Sequence, residues 1–136
     1  MTVIEKAVWK RRESRVSGDF AQLAERVRRR VPDLVTRGTT SANETKRLDV
    51  VRTFALPGRH DDALVLSSMF TFFGGSLNVH CDLMQEDGPI VRDLGSRDLG
   101  AHPSEEAIDA AVDSVVTFAG SCEEEIVARL DGQRRR

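Results

Sequence analysis

Tyrosine is absent from this 136-residue chain and tryptophan occurs once, at Trp9, so nearly all aromatic mass rests on six phenylalanines. Four of the six lie between Phe54 and Phe73, which places it in one region. No run of 18 apolar residues exists, and a membrane-spanning helix is therefore not expected. The opening Met1-Thr2-Val3-Ile4-Glu5-Lys6 meets charge within five positions and has no apolar stretch, so it does not read as a secretory leader. Cysteine occurs only at Cys81 and Cys122, far apart. Without an export signal the expectation is a cytoplasmic protein with two reduced, core-packed thiols, close in space if the last helix covers the sheet.

The common catalytic signatures are missing too. There is no Cys-x-x-Cys and no Gly-x-Ser-x-Gly elbow, and the pair Gly74-Gly75 leads into a strand rather than a helix, so it is not a phosphate loop. The reading is accordingly non-enzymatic, with no catalytic residue, no cofactor and no metal expected.

What is present is a helix-sheet-helix pattern. Residues 3–31 read as helix, in one piece or two around Ser17-Gly18-Asp19, because Val16, Phe20, Leu23, Val27 and Val31 recur at helical spacing. Pro32 stops the run. Residues 36–46 have no apolar periodicity and read as a surface loop. Four strands are expected next. Leu48, Val50, Phe54 and Leu56 share one face of the first. Residues 62–73 are apolar on both faces: Leu64, Leu66, Phe70 and Phe72 on one, Val65, Met69 and Phe73 on the other. Gly74-Gly75 signals a tight hairpin into residues 76–84, and Asp87-Gly88 a second into residues 89–94. Pro103-Ser104-Glu105-Glu106 opens a last helix. Run unbroken to Leu130, that helix would be about 40 Å long, against a four-stranded sheet about 19 Å wide. It must therefore overhang or break near Gly120-Ser121. The expected fold is α+β, order α-β-β-β-β-α: an antiparallel four-stranded meander packed with N- and C-terminal helices in two layers. It forms a single domain over residues 1–133 with a basic tail at 134–136.

The net charge of −2 hides a polarity: residues 1–60 sum to +7 and residues 61–136 to −9. Three candidate surfaces follow. If both helices cover one side of the sheet, Val65, Met69 and Phe73 need another cover, and another protein or a second copy of the chain is the simplest source. A non-enzymatic interaction module of adaptor, chaperone or immunity type, working as a homodimer, is the leading expectation. The alternative is a nucleic-acid-binding protein whose first helix offers Arg11, Arg15, Arg26, Arg28, Arg29 and Arg30 to phosphates, though without interleaved aromatics for base stacking. The acidic start of the last helix argues against a double-stranded RNA-binding module. The third candidate is a ligand site at His80 and Asp82, which share one face of their strand with Asn78.

Overall fold

The structure, a computed structural model, describes residues 6–43 and 47–136. The chain runs α1 (Lys6–Arg30), β1 (Val35–Asn43), β2 (Arg47–Ala55), a 3₁₀ turn (His60–Asp62), β3 (Leu64–Phe73), β4 (Ser76–Gln85), β5 (Ile90–Asp98), α2 (Glu105–Ser121) and α3 (Glu123–Arg134). The fold is α+β, and its five strands form one open antiparallel sheet in the order β1-β2-β3-β4-β5.

The sheet thus has five strands where the sequence suggested four. The extra one is β1, in the stretch read as a loop. Its residues pair with β2 from Val35 opposite Ala55 to Asn43 opposite Arg47. Thr, Ser and Gly supply no apolar alternation there, so the strand is held by its backbone ladder and by Thr36 Oγ1 donating to the Thr53 carbonyl at 2.8 Å. An edge strand buries little, which is why periodicity missed it. At the other edge β5 runs to Asp98, past the expected end at Leu94, and two register shifts against β4 spoil its alternation.

Between β3 and β4 the expected turn is present. Phe73 pairs with Ser76, and Gly74 and Gly75 both have positive φ (62° and 83°), a conformation that suits a two-residue hairpin.

Leu48, Val50 and Phe54 of β2, Leu64, Leu66 and Phe70 of β3, and Leu77, Val79, Cys81 and Leu83 of β4 line one face of the sheet. They form a single core with Val16, Phe20, Leu23 and Val27 of α1 and with Val112, Val115, Ile126 and Leu130 of α2 and α3. Trp9 completes it, its ring edge-on to Phe70 with centroids 5.3 Å apart. All three helices therefore sit on the same side. Gly18 does not break α1, because the apolar stripe continues through it and both flanking stripe residues, Val16 and Phe20, are buried.

The long last helix does break, at Cys122, whose amide donates to the Ala119 carbonyl while Ser121 Oγ donates to Phe118. Ser104 caps α2 by accepting from the Ala107 amide at 3.0 Å, which leaves Pro103 just outside the helix. The start of the basic tail is tied to the domain. Gln133 is buried and donates to the Asp62 carbonyl, and Arg134 closes α3 by pairing with Asp33 at 3.0 Å.

The charge polarity has a structural use. α1 lies alongside α2 and α3, and its arginines meet their carboxylates in order: Arg12 with Asp109 at 2.9 Å, Arg15 with Asp113, Arg26 with Glu123 at 2.8 Å, and Arg30 with Glu124. Hydrogen bonds from the partner guanidinium lower the carboxyl pKa of Asp109 (Arg12), Glu124 (Arg30) and Asp33 (Arg134). A depressed folded-state pKa means stability that is present above the unfolded value and lost as pH falls through the folded one. Unfolded Asp and Glu titrate near about 4. The melting temperature should therefore hold from pH 7 to pH 5 and fall below about pH 4, modestly for each of these exposed pairs. Added salt should shrink that fall, because the exposed pairs are screened. A thermal melt series across pH, with and without salt, measures both.

Candidate interaction face

Strand side chains alternate, so the residues not in the core share the opposite face of the sheet, and no helix of the described residues covers it. The register sets them in rows from β1 to β5. Arg37, Thr53, Val65, Met84 and Ile90 form one row, and Thr39, Val51, Ser67, Asp82 and Asp93 the next. Ser41, Asp49, Met69, His80 and Ser96 form a third. Arg47, Thr71, Asn78 and Asp98 follow, and Phe73 stands at the hairpin end.

Val65 and Met69 are half-buried on this face, and Phe73 is 77% exposed. Four large apolar side chains are exposed among the described residues: Val35, Phe73, Ile90 and Leu94. Three of them, all but Leu94, belong to this face. The sequence pattern found Val65, Met69 and Phe73. It missed Val35, on a strand it did not see, and Ile90, on a strand whose shifted register conceals which way its residues point.

Charge is graded across the same surface. Arg37 and Arg47 stand on the β1–β2 side, where Arg47 Nε reaches Asp49 at 2.8 Å and Nη2 rests against Met69 Sδ at 3.1 Å. Asp82, Asp93 and Asp98 stand on the β4–β5 side.

His80 and Asp82 come together as expected. His80 Nε2 lies 2.8 Å from Asp82 Oδ2, and Nδ1 lies 2.8 Å from Ser96 Oγ. The structure adds a third group, Asp93, brought opposite Asp82 by the register shift at Cys81/Asp82. Ligand atoms of His80, Asp82 and Asp93 lie within 4.8 Å of one another. Among the described residues these three form the cluster that could hold a divalent cation, with imidazole and carboxylate donors suited to zinc and similar metals. The sequence showed no metal cluster because the third ligand lies on another strand.

The two thiols sit in the core, and burial pushes both the Cys81 and the Cys122 pKa up, which makes them poor nucleophiles.

Of the six arginines considered for phosphate binding, Arg15, Arg26 and Arg30 pair with the acidic helices, and Arg28 pairs with Glu25 on its own helix. Arg11 and Arg29 form no ion pair with any described residue. A nucleic acid would have to compete with those carboxylates for four of the six. Among the described residues no helix is long and apolar enough to cross a membrane. No protein-family model, curated protein or solved structure matches the chain.

Proposed function

We propose that this chain is a non-enzymatic protein-interaction module that works as a homodimer in the cytoplasm, two copies meeting through the uncovered faces of their sheets. The observation that carries the reading is that exposed Phe73, Ile90 and Val35 and half-buried Val65 and Met69 all stand on the one sheet face that no described helix covers. Single exposed apolar residues mean little, but several sharing one uncovered face support a contact surface.

Charge selects the second copy as occupant. A two-fold axis lying along β3 sets the β1–β2 side of one sheet over the β4–β5 side of the other. Arg37 and Arg47 then approach the partner copy's acidic side, and Met69 approaches its own counterpart. Turning the axis across the strands would set like charge on like charge. The size is adequate: five strands of about 30 Å spaced about 4.8 Å apart give roughly 700 Å² per face, so two faces bury an area within the standard interface class. In that arrangement the helical side of each copy stays free for a client, as an adaptor, chaperone or immunity protein requires.

Cross-linking tests the arrangement. Met69→Cys lies near the axis and is expected to form an intermolecular disulfide quickly under mild oxidation, giving a two-chain band on a non-reducing gel. Thr39→Cys, near the β1 edge, is expected not to. The parent chain supplies no background, because Cys81 and Cys122 are fully buried. Failure of Met69→Cys to cross-link, or equal cross-linking by Thr39→Cys, contradicts the arrangement.

A further inference from the structure

A second surface, away from the open sheet face, carries Arg52, a cation with no ion pair to any described residue. On the helical side β1 presents Thr36, Gly38 and Thr40, where the central strands present leucine, valine and phenylalanine. A groove opens between α1 and β1. One cavity of about 320 Å³ is lined by Ser17, Gly18, Ala21, Gly38, Thr40 and Arg52 among others. Beside it a second, of about 510 Å³, is lined by Ala21, Gln22, Glu25, Arg26, Arg29 and Arg52. Arg52 and Ala21 line both.

Arg52, on β2, pairs with Gly38 across the ladder. A Cβ at Gly38 would stand 2.5 Å from Nη2 of Arg52, so a side chain there would displace the guanidinium from its present place. That guanidinium is poorly satisfied. Its Nε is buried without a hydrogen-bond partner among the described residues, and its Nη1 reaches Thr36 Oγ1 only at 3.5 Å. It forms no ion pair with a described residue, whereas Arg12, Arg15, Arg26, Arg28 and Arg30 each have a carboxylate. Burial lowers its pKa, and the charge of Arg28 lowers it further against the opposing pull of Glu25. A half-buried cation held this way is costly unless an anion meets it.

The surroundings favour an anion. Arg29 is unpaired among the described residues. Arg26 engages Glu123 through Nε, and the nearby carboxylate of Glu25 is engaged by Arg28.

We propose that the groove between α1 and the β1–β2 hairpin binds the phosphate group of a small phosphorylated molecule, with Arg52 as the inner anchor and Arg26 and Arg29 at the rim. Guanidinium forks match phosphate oxygens in geometry and charge, and several converging on one cavity suit a phosphate dianion better than a single carboxylate. The volume accommodates a ligand of nucleotide size or smaller. The cavity that gathers the arginines has no aromatic wall for stacked bases, which favours a small phosphorylated molecule over a single strand.

The test is calorimetric titration of the full chain with pyrophosphate at low salt and pH 7. One site per chain is expected. Arg52→Met should weaken it roughly tenfold or more, the effect of losing a charge-assisted hydrogen-bonding partner, and Arg52→Lys should fall between. Gly38→Ala, which crowds the guanidinium, should weaken it as well, whereas Arg97→Met on the far edge should leave it unchanged. Thermal melts accompany the titrations: with no ion pair to lose, Arg52→Met should melt no lower than the parent, whereas a purely structural arginine would leave a destabilised protein. Absence of pyrophosphate binding, or binding unchanged in Arg52→Met and Gly38→Ala, overturns the proposal. So does tighter binding of a single-stranded dodecanucleotide than of pyrophosphate.

Discussion

Replacing Met69 with glutamate is expected to turn a two-chain particle into single chains of 15.1 kDa while leaving the domain folded. Met69 stands on the central strand between Asp49 and His80, on the face without helices. In the proposed dimer it meets its own copy at the axis, so one substitution buries two carboxylates against each other. Desolvating unpaired charge costs several kcal/mol per ion, and the dissociation constant should rise at least about a hundredfold, since each 1.4 kcal/mol is a factor of ten. Inside one copy the same change is mild. The side chain is half-exposed and the Arg47 guanidinium lies against it, so fold stability should move by less than about 1 kcal/mol. Light scattering reads the mass, and urea denaturation at a concentration too low for dimers reads the stability of the chain.

The neighbouring residue should behave in the opposite way. Phe70→Ala is expected to cost about 3–5 kcal/mol of folding stability, the usual range for truncating a fully buried phenylalanine. Phe70 is completely enclosed on the helical side of β3 and holds Trp9 edge-on. Removing it opens a cavity between the sheet and the start of α1 and takes away the aromatic partner of the single tryptophan. A domain of this size has about 5–15 kcal/mol in all, so the urea midpoint should drop sharply with the slope little changed. Tryptophan fluorescence is a direct probe, since Trp9 is in the affected contact. Positions 69 and 70 are one residue apart and point to opposite faces. One should change mass and not stability, the other stability and not the interactions of the open face.

Much of this architecture was legible because burial imposes a period. The α1 stripe from Val16 to Val31, the two-sided apolar pattern of β3, the glycine hairpin and the capped start of α2 all follow from which side chains must leave water. The sequence also posed the length problem of the last helix, and the break at Cys122 resolves it. What stayed hidden has equally physical causes. β1 buries almost nothing of its own, so its threonines and glycine looked like a loop. β5 carries register shifts that break alternation, and with it went the orientation of Ile90 and the approach of Asp93 to His80 and Asp82. The opposed charges of the two chain halves were visible. Their main use was not, because the pairing of α1 with α2 and α3 joins residues nearly a hundred positions apart, such as Arg12 with Asp109 and Arg26 with Glu123. Arg52 gave no signal at all: in the sequence it is one arginine in a strand, and only the structure places its guanidinium over Gly38 across the ladder.

Sedimentation equilibrium of the unmodified chain tests self-association most directly. The expected result is a mass of two 15.1 kDa chains at micromolar concentration, shifting toward one chain as salt screens the charged edges. A single-chain mass that persists to millimolar concentration at low salt would contradict the account.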